Sequence, residues 1–231
     1  AALRDYGGVV YIVGEFDRGV ALYEASLALY RELGDEWGVS HLLHRFAAEA
    51  TRVGDFDKAR ALTEEALSTA HRLGDRRNES IALATLADVA QHEGEIDRAI
   101  ELYAESAELA GGAGFAWWQG GRLLDLAELG LESGRREEAE RWTRDGLAVL
   151  LPLRDRQLLV FGLALLAVLA ADAGQTERAG LWWGAIEAEE QLGAIGQWEN
   201  AREQYERMVF AHPDAELEAG REAGRRLSLE D

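Results

Sequence analysis

The sequence predicts an all-α fold, a right-handed solenoid of about five helical hairpins that ends in C-terminal capping helices. Three observations predict it. A glycine returns every 40 residues, small residues return in phase with it, and the apolar residues between the glycines follow a helical period. Periods of this length are typical of stacked helix pairs, because a single hairpin cannot bury its apolar face alone.

The period is kept without a slip over five copies, with glycines at Gly14, Gly54, Gly94, Gly134 and Gly174. A small residue follows each glycine by five positions and another precedes it by seven. These residues are Gly19, Ala59, Ala99, Ala139 and Ala179, and Gly7, Ala47, Ala87, Ala127 and Ala167. Small side chains let two helix axes approach closely. The pattern therefore predicts two tightly packed helices in every repeat.

Apolar residues at spacings of three, four and seven indicate one buried face on each helix. Leu43, Phe46, Ala47 and Ala50 show this spacing, and the next copies repeat it. The predicted helices lie near 2–13, 16–33, 36–53, 56–73, 77–93, 96–110, 115–133, 136–151, 155–173 and 176–192. Two more are predicted near 197–211 and 214–226.

Turn residues separate these helices. Glycine supplies the left-handed backbone conformation that ends a helix, and an acidic residue suits the next helix start. Asp17, Asp57 and Asp97 are predicted to cap in this way. The other turn of the repeat carries Gly34 and Gly74, but its later copy has arginine at 154. The glycine-rich stretch 111–114 is predicted to be the most flexible joint.

The two small packing positions resemble those of the tetratricopeptide repeat. Ala47 with Ala59, and Ala87 with Ala99, match its two small positions. The resemblance covers residues 1–192, although the period of 40 is longer than the usual unit of about 34 residues. This longer form resembles the repeats of large bacterial regulators. The resemblance implies a concave groove lined by the first helix of every hairpin.

Residues 193–231 leave the repeat register and are predicted to form capping helices. The stretches 178–185, 202–207 and 220–230 together resemble the C-terminus of bacterial STAND-type signal-transduction ATPases, including LuxR-type transcriptional regulators. The match includes Gly224-Arg225 and Leu227-Ser228-Leu229-Glu230, with Arg226 where a small residue is common. The resemblance implies that the chain is the sensor arm of a larger protein, with the ATPase and DNA-binding parts outside it.

Charge and composition exclude several classes of function. The chain has 24 Lys and Arg against 43 Asp and Glu, a formal net charge of −19, and no cysteine. Contact with nucleic acid or with an anionic membrane is not expected from such a chain. The longest apolar run, 158–171, is too short to cross a bilayer of about 30 Å. We expect a cytoplasmic protein.

No residue pattern predicts catalysis. The single lysine, Lys58, does not stand in a phosphate-binding loop. His41 and His44 share a helix face and could begin a metal site, but no third ligand is evident nearby. We therefore predict no catalytic residues, no metal site and no cofactor.

Candidate binding residues follow from the groove register of the first helices and from the tryptophan pair at 117 and 118. Adjacent residues on a helix point about 100° apart, so both tryptophans cannot enter one core layer. The candidates are Arg4, Tyr11, His41, His44, Arg45, Asp88, Gln91, His92, Trp117, Trp118, Asp125, Glu128, Glu132 and Phe161.

These residues predict a module that binds a protein or peptide partner. A cationic segment of the partner would suit the acidic middle of the groove, Asp88, Asp125, Glu128 and Glu132. The far end of the groove is predicted to be apolar around Phe161 and Val168. Two alternatives stay open. One is a scaffold that self-associates through its terminal hairpins. The other is a small-molecule sensor or enzyme that uses the histidine-bearing end.

Overall fold

The computed structural model describes residues 2–12 and 15–229, without the side chains of residues 11, 12, 16 and 17. This part of the chain is an all-α solenoid fold with twelve α-helices and no strand. The helices are α1 (Ala2–Ile12), α2 (Phe16–Leu33), α3 (Glu36–Arg52), α4 (Phe56–Leu73), α5 (Arg76–His92), α6 (Ile96–Gly112), α7 (Ala116–Glu132), α8 (Arg136–Leu150), α9 (Arg156–Asp172), α10 (Thr176–Glu190), α11 (Trp198–Val209) and α12 (Ala215–Gly224). A short 3-10 helix, Leu151–Leu153, follows α8.

The predicted helices are confirmed, with ends that differ by at most a few residues. The chain divides into two compact units, 1–114 and 115–231. In unit 1 the hairpins are α1–α2, α3–α4 and α5–α6, and in unit 2 they are α7–α8 and α9–α10. The predicted boundary at 192/193 stays a prediction.

The small residues of the repeat lie in the core of the hairpins. From Ala47 to Ala179, all eight alanines at the two repeated positions have no exposed surface. Buried serines add hydrogen bonds between the two helices of a hairpin. The Ser40 hydroxyl donates to the Ala66 carbonyl oxygen at 3.2 Å, and Ser80 donates to the Ser106 carbonyl oxygen at 2.9 Å. Each first helix is thereby held against its own second helix.

The turns confirm the glycine prediction and correct the capping prediction. Repeat glycines such as Gly54 (φ +80°) and Gly74 (φ +64°) adopt the left-handed conformation. Gly14 lies outside the described residues. The N-cap of α4 is Asp55, which accepts from the Lys58 backbone N–H, and Asp57 lies inside the first turn.

The prediction for Asp97 was wrong in the same way, because Glu95 holds the N-cap position of α6 and Asp97 lies in the first turn. The Asp17 side chain lies outside the described part. Carboxylates one or two residues inside a helix still favour its positive N-terminal end. Stretch 111–114, predicted to be a joint, begins as helix, since α6 continues to Gly112.

Helices α10 and α12 pack side by side in unit 2 through paired glycines. Gly180 and Gly184 on α10 face α12, and Gly220 and Gly224 on α12 face α10. The helices run in the same direction. A methyl group on any of these glycines would press into backbone atoms of the opposite helix. The α12 segment of the predicted cap is therefore fixed by backbone-to-backbone contact.

Two glycine-to-alanine substitutions, one at this contact and one in α7, have opposite expected effects on stability. Gly220→Ala places a methyl group against the Glu177 carbonyl oxygen, so we expect a loss of about 2 kcal/mol in the free energy of unfolding. Gly121→Ala in α7 meets no atom within 4 Å, so better helix propensity should add about 0.5–1 kcal/mol. Urea unfolding of both variants measures the difference. A Gly220→Ala variant as stable as the parent chain contradicts the tight contact.

Candidate functional site

In unit 1, the predicted residues of α3 form a cluster of cationic and aromatic side chains with Arg4. The Trp37 ring stacks on His41 with ring centroids 5.4 Å apart, and the Arg4 guanidinium lies 5.6 Å from the centre of the Trp37 ring. Trp37 also donates its indole N–H to Asp75 at 3.1 Å. Arg45 is exposed to solvent. The side chain of Tyr11 lies outside the described part of the chain.

His44 is buried more deeply than its neighbours in this cluster, with 7% of its surface exposed. Neither ring nitrogen has a hydrogen-bond partner among the described residues. Burial lowers the pKa of His44 to about 4, and the charge of protonated His41 adds a smaller effect in the same direction. Burial, Arg4 and Arg45 also lower the pKa of His41. Both imidazoles are thus held in their neutral form near pH 7.

The predicted residues of α5 make contacts within unit 1. The Tyr103 hydroxyl on α6 donates to the Asp88 carboxylate and lies 3.5 Å from Gln91 Oε1. His92 Nδ1 lies 2.7 Å from the Asp88 carbonyl oxygen, and its ring packs against Phe56 with centroids 5.2 Å apart. Asp88 is therefore part of the link between α5 and α6.

In unit 2, the two adjacent tryptophans have different surroundings, as the helix geometry predicts. Trp117 is 45% exposed and donates its indole N–H to Asp155 at 2.9 Å. Trp118 is half-buried, stacks on Phe115 at 5.8 Å, and carries the Arg122 guanidinium over its ring at 4.3 Å. Trp37, 80 residues earlier, makes the equivalent hydrogen bond to Asp75. Each of these hydrogen bonds joins the start of one first helix to the N-cap residue of the next first helix.

The remaining predicted residues lie on α7 and α9, and α11 covers part of this face. Tyr205 on α11 donates its hydroxyl to Glu128 at 3.0 Å. Phe161 on α9 packs edge-on against Trp198 at 5.5 Å and against Tyr205 at 6.2 Å. Asp125 pairs with Arg122 at 2.8 Å, while Glu132 is exposed. The structure thus brings Glu128 and Phe161 together around one helix of the same unit.

The acid–base properties of this cluster follow from its burial. Burial raises the pKa of Glu128, the hydrogen bond from Tyr205 opposes this shift, and Glu132 adds to it. Burial and the nearby Glu128 carboxylate also raise the pKa of the Tyr205 phenol. Glu128 is thus a buried carboxylate that is costly to ionise.

Sequence reasoning missed Trp198 and Tyr205, which are 1% and 3% exposed. Their spacing of seven on a predicted helix was the available signal, because it places both rings on one face. Outside the repeat register, however, nothing in the sequence specified which surface that face covers.

The described residues contain no group of three or more His, Cys, Asp and Glu placed to hold a metal ion. Within the same residues, no helix has both the length and the apolar character needed to span a bilayer.

Comparison with known proteins supports the fold. The chain is similar to the crystal structure of BtubC (BKLC) from P. vanneervenii, with a TM-score of 0.72 and 22% sequence identity. The match covers 91% of this chain and 89% of that one. No protein-family model and no curated protein matches the chain.

The buried His44 predicts a stability change with pH. Its folded pKa of about 4 lies below the unfolded value of about 6.5, so the folded chain resists protonation. The full contribution of His44 to stability is present above pH 6.5 and is lost as pH falls towards 4. The cost approaches about 3 kcal/mol at the acidic end.

His44→Leu should remove this loss, since Leu124 holds the same repeat position in α7 with 5% exposure. Denaturant unfolding at pH 7.5, 6 and 5 measures the effect, with the exposed His212→Gln as the control. Parallel stability curves for His44→Leu and the parent chain would contradict the assignment.

The raised pKa of Glu128 predicts the opposite dependence of stability on pH. Because its folded pKa is raised, its contribution to stability is largest below about pH 4.5 and falls as pH rises through the folded value. Glu128→Gln keeps an acceptor for Tyr205 and carries no charge. We expect it to be more stable than the parent at pH 7, on the order of 1 kcal/mol, and this gain to shrink towards pH 4.

Urea unfolding at the two pH values tests this expectation, with Glu105→Gln at an exposed position of α6 as the control. A Glu128→Gln chain that is less stable than the parent at pH 7 would show that the ionised form is the favoured one.

Proposed function

We propose that the chain is a non-catalytic binding module that holds a helix of a partner protein on the face formed by its first helices. One observation carries the proposal: in unit 2, this face already holds a helix, the chain's own α11. Phe161 and Glu128, two of the residues selected from the groove register, make the contact. A face that takes an amphipathic helix within the chain has the chemistry to take one from a partner.

The contact in unit 2 shows what such recognition requires. An aromatic residue of the face packs edge-on against two aromatic residues of the helix, and a carboxylate of the face accepts a hydrogen bond from one hydroxyl of the helix. Trp198, Tyr205 and Val209 supply the buried stripe of α11. Aromatic anchors with one oriented polar contact are typical of helix recognition in a groove.

The matching face of unit 1, on α3 and α5, presents a different surface to solvent. The positions 80 residues before Glu128 and Phe161 are the exposed Ala48 and the half-buried Ile81. Exposed Arg45 lies one helical turn from Ala48. We assign the partner's helix to this face, with its apolar stripe on Ala48 and Ile81 and an acidic side chain facing Arg45.

The acidic residues expected to receive a cationic segment make contacts inside the chain. Asp88, Asp125 and Glu128 bond to Tyr103, Arg122 and Tyr205 respectively. Of the four acidic residues, Glu132 is the exposed one. This is why the proposal rests on Arg45. Self-association, and a sensor or enzyme role for the histidines, stay predictions.

The wider role we propose is that of a cytoplasmic tetratricopeptide-type sensor arm of a bacterial signal-transduction ATPase or transcriptional regulator. Its support is the resemblance of the small packing positions and of the tail. The tail has a structural role in unit 2, where the guanidiniums of Arg221 and Arg225 bind the Glu187 carboxylate and Leu229 packs on the core. Such a role suits a segment that closes the end of a repeat array.

Photo-crosslinking in source cells tests the proposed face. A benzophenone amino acid replaces Ala48 on α3 in the native gene, and the matched control replaces the exposed Glu64 on the second helix α4. We expect a discrete adduct with a second protein from position 48 and at least about 10-fold less from position 64, because the partner helix would contact the face that carries position 48 and not α4.

Equal adducts from both positions, or none from position 48, would contradict the helix-binding face. The uncrosslinked band tests the wider role independently. A native polypeptide well above 25.4 kDa supports the sensor arm, and one of 25.4 kDa contradicts it.

A further inference from the structure

The turn between α8 and α9 in unit 2 departs from the repeat. α8 ends at Leu150, whereas the earlier second helices α2 and α4 continue to Leu33 and Leu73. Pro152 accompanies the change, because proline lacks the N–H that would continue the helix. A 3-10 helix replaces the last turn and leaves Leu151 49% exposed. The altered turn therefore presents apolar side chains beside the start of α9.

A cavity of about 660 Å³ lies beside this turn. The 3-10 helix, the start of α9, the end of α10 and the C-terminal tail form its walls. The surface of the cavity is mainly apolar, and its leucines are Leu151, Leu159, Leu192 and Leu229. A second cavity of about 210 Å³ shares three of these leucines. The larger volume lies within the range of about 300–1,000 Å³ that small-molecule sites occupy.

The charged side chains that line the cavity already have partners. Arg156 pairs with the Glu189 carboxylate, and it also donates to the Glu189 carbonyl oxygen at 3.0 Å and to the Gly193 carbonyl oxygen at 3.3 Å. Arg154 and Ser228 make interactions of their own within the chain. A charged head group on a ligand would therefore have to compete with existing contacts for a counter-charge, and removing its water would be costly.

Glu189 nevertheless offers one hydrogen-bond acceptor to a ligand. Its side chain is 8% exposed, and Arg156 donates to one of its carboxylate oxygens, Oε1. No residue in the described part of the chain donates a hydrogen bond to the other oxygen, Oε2. Because Glu189 lines the cavity, a bound molecule can reach Oε2. A buried carboxylate oxygen without a donor is unfavourable, so a ligand that supplies a donor is favoured.

We propose that this cavity binds an uncharged single-chain amphiphile whose polar end is a hydroxyl group. The hydroxyl donates to Glu189 Oε2, and the hydrocarbon chain covers the leucine walls. The chain is needed because a small polar molecule would leave these leucines in contact with water. The proposal concerns unit 2 alone and does not depend on the helix-binding face of unit 1.

Calorimetric titration of the full chain with 1-octanol and its isomer 1-methoxyheptane tests the proposal. The two molecules contain the same atoms, but the alcohol alone can donate a hydrogen bond. We expect octanol to bind at one site and at least about 10-fold more tightly than the ether, whose oxygen would face Glu189 Oε2 without a proton between them.

Octanoate and octylammonium extend the comparison to an anionic and a cationic head group. We expect each to bind at least about 10-fold more weakly than octanol, because the cavity does not offset the cost of removing water from either charge. This order of affinities distinguishes a site for neutral amphiphiles from attraction to a charged surface.

Glu189→Gln changes the hydrogen-bonding pattern of the cavity at one atom. Glutamine Oε1 keeps the hydrogen bond from Arg156, so the amide NH₂ takes the place of carboxylate Oε2. The ether can accept from this group, whereas octanol loses the acceptor for its hydroxyl. We expect the preference for octanol over the ether to fall from at least about 10-fold to about equal affinity. Circular dichroism checks that the variant is folded.

Leu192→Ser tests the apolar wall without altering the core, since Leu192 is 74% exposed. It should weaken octanol binding at least about 3-fold through lost apolar contact. Leu33→Ser is the matched control. Leu33 is 77% exposed at the end of α2 and does not line the cavity, so its replacement should leave octanol binding unchanged.

Four results would overturn the proposal. They are no saturable binding of octanol, equal affinity for octanol and the ether in the parent chain, tighter binding of either charged ligand, and unchanged octanol binding in Leu192→Ser. An unchanged preference in a folded Glu189→Gln chain would likewise exclude Oε2 as the acceptor. None of these results bears on the helix-binding face of unit 1, which the crosslinks at position 48 test separately.

Discussion

The close approach of two helices at their small residues is the constraint on which the rest of the structure depends. From α3 to α10, the two repeated alanine positions of each hairpin are fully buried, as at Ala87 and Ala99. Larger side chains there would push the helix axes apart. Since these contacts fix how each first helix is turned, they also fix which of its residues remain free to form a binding face. The function proposed for the chain is thus a consequence of hairpin packing.

The two units share the hairpin arrangement but differ in what covers the face of their first helices. In unit 2 the first-helix face is partly covered by α11, while α12 is held against α10 by four glycines. In unit 1, exposed and half-buried residues of α3 and α5 form the corresponding face. His44 lies beneath that face, in a position where α5 and α9 have the buried alanines Ala84 and Ala164. Its neutral imidazole accounts for much of the acid sensitivity we expect of unit 1.

The sequence was informative wherever the repeat was in register. Helices, left-handed glycines and buried alanines could be predicted because each recurs in several copies, so one copy supports another. The N-caps at Asp55 and Glu95 were missed because an acidic residue stands both at the cap and two positions later. Capping depends on backbone conformation, and the pattern of residue types does not distinguish the two positions.

The candidate site was less predictable. Register placed Glu128 and Phe161 on the correct helices, yet it could not show that α11 would cover them. The bond between Glu128 and Tyr205 joins residues 77 positions apart, and the tail has no second copy to reveal its packing. Arg154 is a mixed case: the loss of glycine was visible in the sequence, but the left-handed backbone that arginine adopts there, with φ of +53°, is seen only in the structure.

Hydroxyl-radical footprinting of the full chain, read by mass spectrometry, most directly tests the central claim that a first-helix face of this chain holds a helix. Trp198 and Trp37 have the same intrinsic reactivity, but Trp198 on α11 is 1% exposed and Trp37 is 47% exposed in unit 1. We predict that Trp198 and Phe161 are protected while Trp37 and Trp117 are oxidised rapidly. Oxidation of Trp198 at the rate of Trp37 would show that α11 does not rest on the α7–α9 face, and the observation that carries the proposed function would be lost.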